Sequence, residues 1–279
     1  MNKSQIIVIL TVFFLLEPCG HVWCSDRYTI SMLPRYAPEE IIKRIKPLAT
    51  YISKYANIRV DPVVSRDFDN YRSRLRRGDI LIGYENPYIY TLVSNEHEVI
   101  AKAVKGQSGD KFRGIIITRS DSDIVDINDL KGKTISIVSK TSAGGFLSQQ
   151  ATLQKFGFDM NDMILTEALD NKQENVLLAV YYGDVDAGFI RESALHVADN
   201  YLASSQIKVI KRTEWLPNWA LSVNKKIPAN IKSLIRNAVL KLEEGNIVLK
   251  ALKIKRFEKV QDSDYDVIRL TVGLPIPQR

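Results

Sequence analysis

Cysteine is almost missing from this 279-residue chain, and its two copies, Cys19 and Cys24, both fall within the first 24 residues. A chain cut after Cys24 has no disulfide, thiolate nucleophile or thiolate metal site, and must stand on its apolar core alone. Histidine is scarce too. Past residue 24 only His97, opening a strand-like run, and His196, on a helical pattern, remain, and neither stands near a nucleophile motif. Both a Ser-His-Asp triad and a metal centre therefore lack support, and the expectation is a non-enzyme with no metal and no cofactor. No apolar run is long enough to span a bilayer: "IIVILTVFFLL" (6–16) falls short of the roughly 20 residues required, and Glu17-Pro18 follows it.

Acid is also in short supply, leaving a formal charge of +7. From Lys225 to Arg279 there are 12 Lys/Arg against 6 Asp/Glu. These bases alternate with acids on helical spacing and lack interleaved aromatics, so they read as solvated helix faces and not as a nucleic-acid footprint.

The N-terminus carries Lys3, the apolar run and "VWC" before Ser25, the layout of a secretory signal over residues 1–24. Export from the cytoplasm follows. "LEPC" lacks the small residues that a lipid-attachment cysteine needs before it, so a lipid anchor is not expected.

After that segment the pattern is β-α-β-α-β. "RYTISML", "IRVDPVV" and "DILIGY" are strand-like, and between them lie helical stretches such as "APEEIIKRIKPLATYISKY", with Ile41, Ile45, Leu48 and Ile52 on one face. A second alternation begins at "TISIVSK". Two such units predict an α/β protein of two lobes, each a mainly parallel sheet flanked by helices. The expected division is residues 25–115 with 217–279 for lobe 1 and 116–216 for lobe 2, with two hinge crossings. Ligands of open α/β sheets bind beyond the carboxyl ends of the strands, so facing lobes enclose a cleft there.

Three strand-to-helix junctions reach that cleft. In "VSKTSAGGFLS" (138–148), Ser139, Thr141 and Ser142 supply hydroxyls where a strand stops and a helix begins, and Ala143, Gly144 and Gly145 leave backbone open to an anion; an ordinary Ser/Thr cap is the plainer reading of the same residues. In "GYENPYIY" (83–90), Tyr84 and Asn86 offer donors, and Glu85 has to point away from an anion or meet a cation. In "MLPRYAP", Arg35 and Tyr36 stand at the end of the first strand, where an arginine grips an oxyanion with two bonds.

Taken in order, "DILIGYENPYIY", "GIIITRSDSDIVDINDLKGKTISIVSKTSAGGF", "AVYYGDVDAGFI" and "DYDVIRL" resemble the phosphate/phosphite/phosphonate-type periplasmic solute-binding proteins of ABC importers. The resemblance implies the type II periplasmic binding fold, a monomer that closes on a small oxyanion and passes it to a membrane ABC permease. A sensory module of the same fold, acting with a membrane sensor, is the alternative. Family members typically carry Ser-Thr-Ser-Gly in the lobe-two loop, where this chain reads "TSAGG". Where members that bind aminoalkylphosphonates place carboxylates for the amine, this chain offers Trp219 and Glu192, and Asn171 with Gln173 lie where the family can carry a histidine.

Overall fold

The computed structural model describes residues 27–105, 109–198 and 204–278, so the signal-peptide reading of 1–24 lies outside the described residues. The chain opens with β1 (Arg27–Met32), α1 (Pro38–Ala56), β2 (Arg59–Pro62), α2 (Phe68–Arg77), β3 (Ile82–Glu85), α3 (Pro87–Val93) and β4 (His97–Val104). Pro38 starts α1, where its missing N–H costs nothing, and Asn57 ends it in the left-handed region. Ile41, Ile45, Leu48 and Ile52 are fully buried along one stripe, each worth about 1.5–3 kcal/mol relative to exposure.

The second alternation comprises β5 (Lys111–Phe112), β6 (Gly114–Arg119), β7 (Thr134–Ile137), α4 (Ser148–Lys155), β8 (Ile164–Glu167), α5 (Gln173–Tyr182), β9 (Ala187–Arg191), α6 (Glu192–Ala198) and β10 (Ile207–Arg212). It is followed by β11 (Leu216–Pro217), β12 (Ala220–Asn224), α7 (Ala229–Leu240), α8 (Ile247–Leu252), β13 (Arg256–Glu258) and α9 (Asp266–Thr271).

Two large sheets form, in the orders β13-β4-β12-β3-β1-β2 and β10-β6-β9-β7-β8. Both repeat one plan. Three parallel strands lie at one side, a strand of opposite direction follows, and a further strand completes the set of five, to which the first sheet adds β13 at its edge. The sheets are thus mainly parallel in strand direction, but β12, β13 and β6 run against their neighbours. The reason is the route of the chain: β6 and β12 are each the first strand laid down after the chain crosses from one sheet to the other, and each enters its sheet from the opposite end.

The crossings pair with each other as the short antiparallel ribbon β5–β11. β6 begins at Gly114, two residues before the boundary expected at 116, and is buried on both faces: Ile116 joins one apolar cluster while Ile115 and Ile117 join the other. That two-sided burial explains why the sequence there is a continuous apolar run without alternation. Two sheets of the same wound order, linked by paired crossings, are the two-lobed type II periplasmic binding fold.

Candidate functional site

Beyond the carboxyl ends of β1, β3, β7, β8 and β9 lies a cavity of about 530 Å³. Residues of both sheets line it. Ten of the residues singled out from sequence meet there: Arg35, Tyr36, Asn86, Ser139, Thr141, Ser142, Ala143, Gly144, Asn171 and Trp219. Gln173, set beside Asn171 by the resemblance, lines it too, and Phe68, Phe112, Arg191 and Lys172 join them without having been anticipated as ligand contacts.

The 139–145 loop is built by its own backbone. Ser142 N donates to Ser139 O (3.0 Å), Ser142 Oγ accepts from Gly145 N (3.1 Å), and Ala143–Leu147 forms a turn of π-helix before α4. Ser142 is therefore a helix cap and a cavity residue at once: its lone pair holds the turn and its O–H is left to point outward. The fully buried Gln149 fastens the turn from behind, its Nε2 lying 3.1 Å from the carbonyls of Gly144, Ile115 and Ile190.

Gly145 does not line the cavity. A Cβ there would sit 2.5 Å from Val138 Cγ2, so this glycine serves close packing of the turn on β7 and not approach by a ligand. Gly144 does line the cavity, and its small size is set by the Phe112 ring, 2.9 Å from where a Cβ would stand.

On the other side, Asn86 caps α3, its Oδ1 accepting from Ile89 N at 2.8 Å, which leaves its amide hydrogens free to donate. Tyr84, one residue earlier on β3, is fully buried behind the cavity wall against Trp219, with ring centroids 5.1 Å apart. Its hydroxyl has no hydrogen-bond partner, and burial raises its pKa above the ordinary tyrosine value. Glu85 faces the opposite side of β3, as strand alternation requires, and bonds Tyr71 (2.7 Å) and Ser222 (2.6 Å) in the core.

Glu192, expected near the cleft, is held elsewhere. Its carboxylate takes two bonds from Arg113 (2.7 and 2.9 Å) and one from Arg212 (2.9 Å), and the Arg113 bond leads in lowering its pKa. The residue beside it, Arg191, reaches the cavity instead, because a one-residue step at a strand end reverses the side chain's face. Glu192→Gln is accordingly expected to lower the melting temperature while leaving anion affinity within about threefold, below the 1.4 kcal/mol of a tenfold change. Titration calorimetry on the variant checks this.

The electrostatics of the cavity are one-sided. Of the wall residues, Arg35 lies 5.5 Å from the Trp219 ring centroid and Arg191 4.3 Å from that of Phe112; Lys105, outside the lining, holds its Nζ 4.6 Å from the same Trp219 centroid. Among the described residues none of these three is ion-paired. Burial, then Arg191, Arg35 and Arg44 as neighbouring charges, hold the Lys105 pKa well below its usual value. Burial and Arg35 bring Arg191 down to about 10, and its Nε is buried without a partner. Arg44, stacked on Tyr36 at 4.1 Å, is balanced by Glu40 at 2.7 Å. The carboxylate that lines the cavity, Asp170, is paired with Lys172 at 3.0 Å.

His97 is buried in the core and His196 is exposed, and neither lines the cavity. No group of three or more His, Cys, Asp or Glu able to hold a metal occurs among the described residues, and no helix among them is long and apolar enough to cross a membrane.

Solved structures share this architecture. A Xanthomonas citri protein bound to chloride ion superposes with a TM-score of 0.77 at 17% identity, covering 88% of this chain and 96% of its own. PhnD1 of Prochlorococcus marinus in complex with methylphosphonate gives 0.70 at 15% identity, over 88% and 96%. A binding-protein component of an ABC phosphonate transporter from Pseudomonas aeruginosa gives 0.66 at 17%, over 88% and 85%. Residues 30–265 match the family described as ABC transporter, phosphonate, periplasmic substrate-binding protein, a span that takes in both sheets, the paired crossings and every wall of the cavity. With that match across nearly the whole described fold, the chain belongs to the phosphonate-type periplasmic substrate-binding proteins of ABC transporters.

Proposed function

We propose that the protein captures a small oxyanion, a phosphonate, phosphite or phosphate, between a lobe of residues 25–115 with 217–279 and a lobe of 116–216, and delivers it as a monomer to the permease of an ABC importer. The observation that carries this reading is the uncompensated positive charge of the cavity. Arg35, Lys105 and Arg191 converge without carboxylate partners, beside the orphaned Tyr84 hydroxyl. Such groups cost stability while they wait and are satisfied together by a buried anion. Hydroxyl and amide donors from the 139–144 loop and Asn86 supply direction, and closure that excludes water strengthens every one of these bonds.

Thermal melts with methylphosphonate, phosphite and phosphate test the reading. A true ligand stabilises by about 4 kcal/mol at a thousandfold excess over its Kd. No shift with any of the three sinks the reading. Delivery is tested by uptake of the same anion in cells lacking the chain, which must fall.

Ser142→Ala is expected to weaken binding by roughly 1.5–3 kcal/mol through a lost charge-assisted bond. It also removes the cap on Gly145 N, so the ligand-free protein loses about 1 kcal/mol. Paired urea titrations with and without the anion separate the two losses.

A further inference from the structure

Three unpaired cations, Arg35 and Arg191 on the cavity wall and Lys105 on the Trp219 ring beside it, carry more charge than one small oxyanion neutralises. Arg191 stands at the end of β9, next to β7 and its hydroxyl loop, so these donors form one group on the five-stranded sheet. Arg35 and Lys105 belong to the other sheet. They follow β1 and β4 and meet over one ring: at 5.5 and 4.6 Å from the Trp219 centroid, the two charges are no more than about 10 Å apart. Trp219, immediately before β12, lies between them, and both charges bear on its ring. At about 530 Å³ the cavity is in the range of ligands well larger than a bare phosphate. The carboxylate on its wall, Asp170, is already paired with Lys172.

Resting on the oxyanion reading above, we propose that the ligand is a phosphonate or phosphate monoester with a second acidic group: the first group sits on Arg191 and the 139–144 loop, the second between Arg35 and Lys105 beside Trp219.

Titration calorimetry of the mature chain with methylphosphonate, 2-aminoethylphosphonate, phosphonoacetate and 3-phosphonopropionate tests this. At least one of the two diacids should bind tenfold or more tightly than methylphosphonate, and 2-aminoethylphosphonate should bind more weakly than methylphosphonate. Lys105→Gln should reduce the diacid preference to below threefold, because it removes one post of the second group. Methylphosphonate binding as tightly as both diacids, or a preference that survives in Lys105→Gln and in Arg35→Gln, overturns the proposal while leaving oxyanion capture standing. If none of the four binds, the proposal and the reading beneath it fall together.

Discussion

Arg191→Met melts at a higher temperature than the wild type when ligand-free, and loses most of its affinity for methylphosphonate. The two effects share one cause. In the ligand-free protein the guanidinium is partly buried in the cavity wall with no carboxylate beside it, its Nε is buried and unpartnered, and Arg35 repels it. An unbranched apolar side chain of similar length removes that desolvation cost. Opposing this, the contact with Phe112 at 4.3 Å is lost, which is worth about 0.5–2 kcal/mol. A buried, unpaired charge costs more than that contact returns, so the net effect is stabilising. With the anion bound the balance reverses: truncating one partner of a buried charge pair costs about 2–5 kcal/mol, or 30-fold and upward in Kd. Calorimetric melts and anion titrations of one preparation measure both halves. A variant that melts lower when ligand-free, or binds methylphosphonate as the wild type does, removes Arg191 from the site.

How much of this was legible in the sequence depended on periodicity and on which strand ends were considered. The β-α-β alternation was readable because strands buried on both faces, such as β6 with "GIII", leave continuous apolar runs between amphipathic helices. The reversed β12 and β6 were not, since strand direction depends on where the chain re-enters a sheet and leaves no local mark. The hydroxyl loop could be placed by its composition alone. Arg191 and Lys105 were missed because an isolated basic residue at a strand end looks like any solvated one; applying the strand-end rule to β4 ("AKAVK") and β9 ("AGFIR") as well as to β1, β3 and β7 would have found both. Glu192 and Gly145 failed for one reason: residues adjacent in sequence at a turn or strand end face opposite ways, and only the fold decides which one faces the ligand.

The second large effect lies behind the site, where β3 turns its other face to the core. His97 Nε2 is 3.2 Å from the Leu75 carbonyl, which can only accept, so that nitrogen carries the hydrogen. In a neutral imidazole, Nδ1 then accepts from Ser222 Oγ at 3.1 Å, and a serine has a single hydrogen to give. The 2.6 Å contact between Ser222 and Glu85 is therefore satisfied when the Glu85 carboxyl is protonated and donates, while its other oxygen accepts from Tyr71. Every member is satisfied with both ionisable groups neutral, which agrees with burial raising Glu85 to about 7 and lowering His97 to about 4.

The two groups pull stability in opposite directions with pH. Glu85, raised from 4.5, contributes stability that is complete below pH 4.5 and is lost as pH rises to about 7. His97, lowered from 6.5, contributes stability that is complete above pH 6.5 and is lost as pH falls to about 4. Each is worth about 3 kcal/mol over its window. Between pH 4.5 and 6.5 the slopes oppose each other and largely cancel. Glu85→Gln should therefore make stability climb with pH across that interval relative to wild type, and His97→Gln should make it fall, each by up to about 1.4 kcal/mol per pH unit. Urea unfolding at pH 4.5, 5.5 and 6.5 reads the slopes directly. If both variants run parallel to wild type, Glu85 and His97 do not stand neutral in the core and the hydrogen-bond chain is wrongly drawn.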